Sequence, residues 1–454
     1  MQCMAMIAAL TLAAAAATDD SGELLTLQRA QEMARQRNVD ALQAREVLER
    51  ASILTKKVWT ALLPVLSAQA SIVRNNQEIL IPAGAFGGGA PATDLVFQRL
   101  VQSDAAVNLR WPLVNVGAIT ATRMAHKAVA WEEQCYAQRE QALVHGATLQ
   151  YYAALSARRQ VQIRQNALET AQAHIKLARA HLETGSATEI DALRAEVEVA
   201  EAEQALLGAE NAERVAKLAL ALTLGLTDDA GNPVPFHTES PAPAVSPTVP
   251  EEPLTYALTH RADLRTQTLQ VELAELQKIR TWTQLLPTLS ATGAYRWTQS
   301  AGFAGRNTTW QVGLKLEWTF FDGGWTVLQA QENAHSVTLA ALALEKTRRD
   351  VRQEVQEAIF EREAAEAALA VAERGERMAE RSAALVEAQY KLGAITQIDM
   401  LDAQRQLVDA QSRHVLAELS VNVARVTFAQ VIETPTKPDA ACPPGGIAAT
   451  IAAP

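Results

Sequence analysis

KLGAITQIDML, residues 391–401, interrupts a long stretch of helix-forming sequence, and ETGSATEIDAL, residues 183–193, interrupts another in the same way. Gly185, Thr188, Ile190, Asp191 and Leu193 match Gly393, Thr396, Ile398, Asp399 and Leu401, each at an offset of 208. Five identities in nine positions exceed the roughly one expected by chance, so the chain reads as an internal repeat.

Flanking landmarks extend the repeat. LLPVLSA at 62–68 returns as LLPTLSA at 285–291, offset by 223. Trp111, Leu113 and Gly117 of WPLVNVG correspond to Trp318, Phe320 and Gly324 of WTFFDGG, offset by 207. The offset falls by 16 (223 − 207) because the first copy carries a longer insert, residues 74–105. That insert includes IPAGAFGGGAPATD and reads as an exposed loop, with a shorter counterpart near 300–308. Each copy then runs helix, short strand, loop, short strand, very long helix, turn, helix.

No proline falls between Pro112 and Pro233 or between Pro287 and Pro435, and these intervals are dense in good helix formers. Residues 322–390 predict a helix of about 100 Å at about 1.5 Å per residue, too long for the core of an ordinary globule. Such helices belong in a coiled bundle or a barrel of helices. GLTDDAGNPVPFHTESPAPAVSPTVPEEP between the copies is a Pro-rich connector.

The strands carry a different period. In WQVGLKLEW, residues 310–318, Trp310, Val312, Leu314, Leu316 and Trp318 face one way and Gln311, Gly313, Lys315 and Glu317 the other. LSATGAYRW alternates likewise, as do the segments around Leu66–Ile72 and Val107–Trp111. Strands of this length, apolar outside and polar inside, fit a membrane β-barrel. Seven of the eight tryptophans lie in or beside these strands, as an interfacial girdle requires. Four strands close no barrel with an interior, so this reading requires an oligomer. The competing reading is a soluble sandwich with tryptophans in its core.

Composition narrows the function classes. A formal charge of −10 and a pI near 5.5 argue against a nucleic-acid binder. Cys3, Cys135 and Cys442 are far apart and indicate neither a disulfide framework nor a zinc site. The N-terminal apolar run ends in Ala15-Ala16-Ala17 and is expected to be a signal peptide over 1–17, although the first Lys or Arg is Arg29. Cys3 lies too near the start to follow a lipobox, and no other stretch approaches the roughly 18 apolar residues of a membrane helix. The histidines are scattered, GAFGGG at 84–89 lacks the P-loop Lys, and no G-x-S-x-G elbow occurs. The sequence therefore predicts no enzyme, no metal and no cofactor.

RADLRTQ at 261–267, LLPTLSATG at 285–293, WTFFDGG at 318–324 and YKLGAITQIDMLDAQ at 390–404 resemble the TolC-type outer-membrane efflux protein family, over about residues 24–432. The resemblance implies a mainly α fold with a transmembrane β-barrel: a homotrimer whose twelve strands are continued by a periplasmic α-helical barrel. It implies repeats at 18–224 and 253–432, an equatorial region around the connector 225–252, and a disordered C-terminal tail at 433–454. Strands are expected at about 61–73, 106–116, 285–299 and 309–319. Function follows as an exit duct in the outer membrane of a Gram-negative cell. Its implied partners are outer-membrane lipid, a periplasmic adaptor (membrane fusion) protein and an inner-membrane pump of RND or ABC type, for efflux or type I secretion.

The same resemblance assigns sites. Gly185, Thr188, Gly393 and Thr396 fall in the tip turns where adaptors dock. Asp399, Asp402, Asp191 and Tyr390 match the periplasmic gate, and Trp111, Trp297, Trp310 and Trp318 the aromatic girdle. Ile395 stands where the best-studied branch has a basic residue. Asp399 and Asp402, three apart, share a helix face, and in a trimer six carboxylates around one axis should raise some pKa values and attract cations. Arg194 replaces the second Asp in the first copy, so the gate is expected to be asymmetric. The alternative function is a soluble periplasmic coiled-coil scaffold without channel activity.

Overall fold

The computed structural model describes residues 23–82, 95–184, 188–227, 236–238, 251–299, 306–392, 394–434 and 442. In chain order the strands are β1 (Glu23–Leu25), β2 (Val65–Arg74), β3 (Ile79–Ile81), β4 (Leu95–Gln98), β5 (Val101–Val114), β6 (Phe236–Thr238), β7 (Thr288–Thr298) and β8 (Thr308–Glu317). The helices are α1 (Leu27–Arg37), α2 (Val39–Trp59), α3 (Val116–Glu183), α4 (Glu189–Leu224), α5 (Pro253–His260), α6 (Ala262–Thr283), α7 (Trp325–Lys391) and α8 (Gln397–Glu433). They fall into two compact units. One gathers the described residues of 1–45, 137–263 and 348–438, the other those of 46–136, 264–347 and 439–454.

The second unit holds a four-stranded antiparallel sheet of order β2-β5-β7-β8. Its register aligns the alternation of all four strands. Trp310 lies opposite Tyr295, which lies opposite Val107, which lies opposite Ala68. Val312, Gly293, Leu109 and Leu66 form the next such row, and Leu314, Ala291 and Trp111 the one after it. The large apolar side chains of β7 and β8 and the Val107, Leu109 and Trp111 set of β5 therefore share one face, while Lys315, Ser290, Arg110 and Asn108 lie on the other, with Val65, Ala106, Pro112 and Ala294 among them. The apolar face is open on its outer strand, where Trp310 is 76% exposed and Val312 78%. A soluble sandwich would bury these side chains, so core tryptophans are not what the strands provide. Trp131, on α3, is the fully buried tryptophan.

The insert in the first copy is not simply a loop. β3 and β4 pair as a short hairpin, and β5 begins at Val101, inside the stretch that reads as loop from its glycines. GAFGGG itself lies outside the described residues. Below the sheet, Asp322 accepts hydrogen bonds from the backbone N–H of Gly324 (3.1 Å) and Thr326 (2.9 Å), starting α7. Gly323 and Gly324 have φ of 73° and 89°, the left-handed region that glycine enters without steric cost. Leu54, Met124, Ala125, Ala128 and Leu273 form the helical core of this unit, and Asn333 donates to Thr281 at 2.7 Å.

The cysteines depart from the sequence reading. Cys135 and Cys442 form a disulfide, both fully buried beside Trp131 and Leu269. Their separation of 307 residues hides the pair from any local spacing rule. The stretch read as a disordered tail is thus fastened at Cys442, and its first residue, Glu433, closes α8.

In the other unit, Leu25, Met33, Tyr151, Leu220, Leu224 and Phe236 share one core, and β1 pairs in parallel with β6. Tyr151 donates its hydroxyl proton to the Leu25 carbonyl at 2.8 Å, which satisfies the one polar atom that ring brings inside. RADLRTQ also finds its reason here. Arg261, 1% exposed, makes a two-pronged contact with Asp263 and donates to Glu354 (2.6 Å) and the Val431 carbonyl (3.0 Å). Contrary to the sequence expectation, α8 is long and apolar enough to cross a membrane by length and composition alone, with a window of mean hydropathy 1.4. Its apolar residues have partners in the bundle: Val421 and Ala424 pack with Ala365, and the Phe428 ring lies 4.5 Å below Arg362.

Candidate functional site

Two helix–turn–helix tips carry the predicted gate and docking residues. Gly185 and Gly393 lie outside the described residues. Around them the two turns are built alike. At the second, the Leu392 and Ala394 amides both donate to the Gln389 carbonyl, closing α7, and Thr396 then caps α8. The Thr396 amide donates to Asp399 Oδ2 at 3.1 Å, its hydroxyl to the same oxygen at 2.6 Å, and the Asp399 amide to Thr396 Oγ1 at 3.3 Å. At the first tip, the Thr188 amide and hydroxyl donate to Asp191 Oδ2 at 3.0 and 2.7 Å. Thr-x-x-Asp is a capping box with Asp in place of Glu. The repeat's matching Thr and Asp therefore serve the turns themselves.

This geometry changes the electrostatics expected of the carboxylates. The Thr396 hydroxyl and then its amide hold the Asp399 carboxyl below the usual range, and Thr188 does the same to Asp191, helped by Arg194 at 3.8 Å. Within the protomer the shifts run opposite to those expected from mutual repulsion. Asp399 turns back toward Thr396, whereas Asp402 accepts from Gln406 Nε2 at 2.9 Å, one turn onward.

Tyr390 sits against the first tip. Its ring meets His181 edge-on at 6.3 Å, and burial followed by the Asp191 charge pushes its phenol up. Gln397 Nε2 donates to the Asp191 carbonyl at 2.9 Å, bridging the two tips. Higher up, Arg405 donates to Glu198 (2.6 Å) and Glu201 (3.3 Å), joining α8 to α4. These bridges are absent from the sequence reading, yet it held a signal for them. Their separations, 206 and 207 residues, nearly equal the repeat offset, so they join equivalent levels of the two tips.

Above the tips α3, α4 and α8 line a half-open pocket of about 280 Å³, with Arg164, His174, Glu198, Leu401, Arg405 and Asp409 among its residues. Burial pushes the His174 imidazole down, against Glu387 and Glu198 and together with Lys391. No group of three or more metal-ligating side chains occurs among the described residues.

The predicted girdle residues fall at three levels of the sheet. Trp297 and Trp310 lie near the β7–β8 turn. Trp318 follows the far end of β8, where its indole N–H donates to the Leu285 carbonyl at 3.1 Å and its ring meets Phe320 edge-on. Trp111 lies between, opposite Ala291. From Trp310 to Trp318 the strand path is about 27 Å at about 3.4 Å per residue, close to the apolar band of a membrane barrel.

Comparison with known proteins agrees with this architecture. The profile of the outer membrane efflux protein family matches residues 30–226 and 254–432. The structure of CusC, a transmembrane channel, superposes with a TM-score of 0.75 at 16% identity, covering 90% of this chain and 92% of that one. The outer membrane channel CmeC of Campylobacter jejuni gives 0.73 at 16% identity over 89% and 85%, respectively. The outer membrane protein VceC of Vibrio cholerae gives 0.70 at 16% identity over 90% and 97%. No curated protein matches the chain.

Proposed function

The chain belongs to the outer membrane efflux protein family, and on that premise we propose that it is the outer-membrane exit duct of a tripartite efflux or type I secretion system, a passive channel opened at its periplasmic tip. The carrying observation is the sheet: a mainly apolar, largely exposed face, with the outer strands β2 and β8 each paired on one side only among the described residues. An apolar face of this size needs lipid, and open sheet edges in lipid need closure, because no water is there to satisfy their amides. Three copies joined β2 to β8 give twelve strands and leave no edge. The α7 helix, 67 residues and about 100 Å long, is the length that lets such an assembly reach far into the periplasm.

In this reading the tips meet a periplasmic adaptor and an inner-membrane RND or ABC-type pump. Thr188 and Thr396 shape the docking turns, and Asp191, Tyr390, Asp399 and Asp402 line the constriction. The connector 225–252 belongs to the equatorial region, Trp297, Trp310 and Trp318 anchor the interfaces, and Trp111 faces lipid between those levels. Fractionation tests the location: a heat-resistant trimer in the outer membrane supports the duct, and a fully soluble extended monomer selects the scaffold reading instead. Planar-bilayer conductance tests the constriction. The double substitution Asp399→Asn and Asp402→Asn keeps an acceptor for the cap and removes the charge. It should lower cation selectivity and block by multivalent cations; unchanged block takes the carboxylate ring out of the proposal.

A further inference from the structure

The Cys135–Cys442 pair lies outside the duct chemistry, and its burial dictates when it forms. Both sulfurs are fully buried, with Trp131, itself fully buried, and Leu269 packed around them. Their Cα atoms are 5.6 Å apart, within bridging reach. Disulfide exchange proceeds by attack of an accessible thiolate on another disulfide, and no such attack reaches sulfurs already enclosed. Oxidation therefore precedes packing of this core. We infer that the exported chain is a substrate of a periplasmic thiol–disulfide oxidoreductase, which bonds first to Cys135 and is released by Cys442.

The order follows from chain position. Cys135 lies 307 residues ahead of Cys442, so in N-to-C translocation it enters the oxidising compartment first. There the Cys135 thiolate attacks the oxidoreductase disulfide. One sulfur of that disulfide leaves as a thiolate, and a mixed disulfide forms on Cys135. Cys442, 12 residues from the last residue, then attacks the Cys135 sulfur. The oxidoreductase departs as a dithiol, carrying the two electrons and the two protons of the chain's thiols. The product fastens residue 442 beside α3 and closes the shell around Trp131. The inference rests on the duct reading only in requiring export to an oxidising compartment.

Acid-quenched cells expressing the full chain test it. Cys442→Ser should accumulate a covalent adduct with the oxidoreductase, visible on non-reducing gels and lost on reduction. Cys135→Ser should show several-fold less, and the double variant none. Peptide-resolved alkylation of the wild-type protein should find Cys135 and Cys442 blocked until reductant is added. Free thiols at both positions, or equal adducts from the two single variants, overturn the inference. A wild-type protein with free thiols that still resides in the outer membrane leaves the duct reading standing, so the two failures are distinguishable.

Discussion

Thr396 and Asp399 hold each other across the first turn of α8, the hydroxyl on the carboxylate at 2.6 Å and the Asp399 amide back on the hydroxyl at 3.3 Å. The bonds favour the ionised carboxylate, so the folded pKa lies below the ordinary Asp value of about 3.9. Stabilisation from this cap is then complete above that value and lost as pH falls through the lower folded one. Amide hydrogen exchange at the tips, corrected for intrinsic rate, should show level protection from about pH 7 to 5 and a decline below about 4. In Asp399→Asn that decline should vanish at the second tip while persisting at Thr188–Asp191. A decline that survives the substitution assigns the acid sensitivity elsewhere.

Much of the architecture was legible because its signals are local or repeat. The period of two in WQVGLKLEW needs only nine residues to declare itself, and the tips appear twice at one offset. The Asp of each tip was legible as a residue, but its part in the turn was not: Thr-x-x-Asp is also a cap signature, and the cap favours the ionised carboxylate. Arg261 and Cys135 are different. Their partners Glu354 and Cys442 lie 93 and 307 residues away, and composition offers no clue to such pairings. Glycine-rich sequence predicted a loop in the insert, yet Ile79–Ile81 and Leu95–Gln98 pair, because the Ile, Val and Phe residues flanking the glycines are good strand formers.

Gly225 ends α4 with φ of 65°, and a Cβ there would stand 2.9 Å from the Arg37 carbonyl oxygen. Neither the left-handed backbone nor that backbone contact tolerates a side chain. Gly225→Ala should therefore destabilise by about 1–2 kcal/mol or more. Gly208, inside α4 with open space around it, should respond with the opposite sign, gaining about 0.5–1 kcal/mol as Ala. Urea midpoints of the detergent-solubilised protein compare the two directly. Equal losses would show that helix packing, not the cap, governs both sites.

Arg261 is 1% exposed and Asp263 4%, so removing the guanidinium strands a carboxylate away from water. Arg261→Ala should cost about 3–5 kcal/mol, while a paired Arg261→Met and Asp263→Leu replacement should recover most of the loss. Arg261→Lys should fall between, because an ammonium cannot contact Asp263 with two prongs and still reach Glu354 and the Val431 carbonyl. Chemical denaturation of the four proteins gives the ordering. If the double replacement is as unstable as Arg261→Ala, shape rather than charge pairing is what the site requires.

Val312 and Gln311 are neighbours on β8 with opposite destinies. Val312 belongs to the apolar face with Trp310 and Leu314, and Gln311 to the face with Lys315. If the apolar face meets lipid, Val312→Arg near the middle of the strand should cost about 2–4 kcal/mol of folding in bilayers. Gln311→Arg, facing the interior, should fold normally and alter only conductance or ion preference. Folding yield into lipid vesicles, scored by the heat-resistant oligomer, separates the two. In a soluble scaffold both positions would face water and both arginines would be tolerated, so a normal yield for Val312→Arg removes the membrane reading at its root.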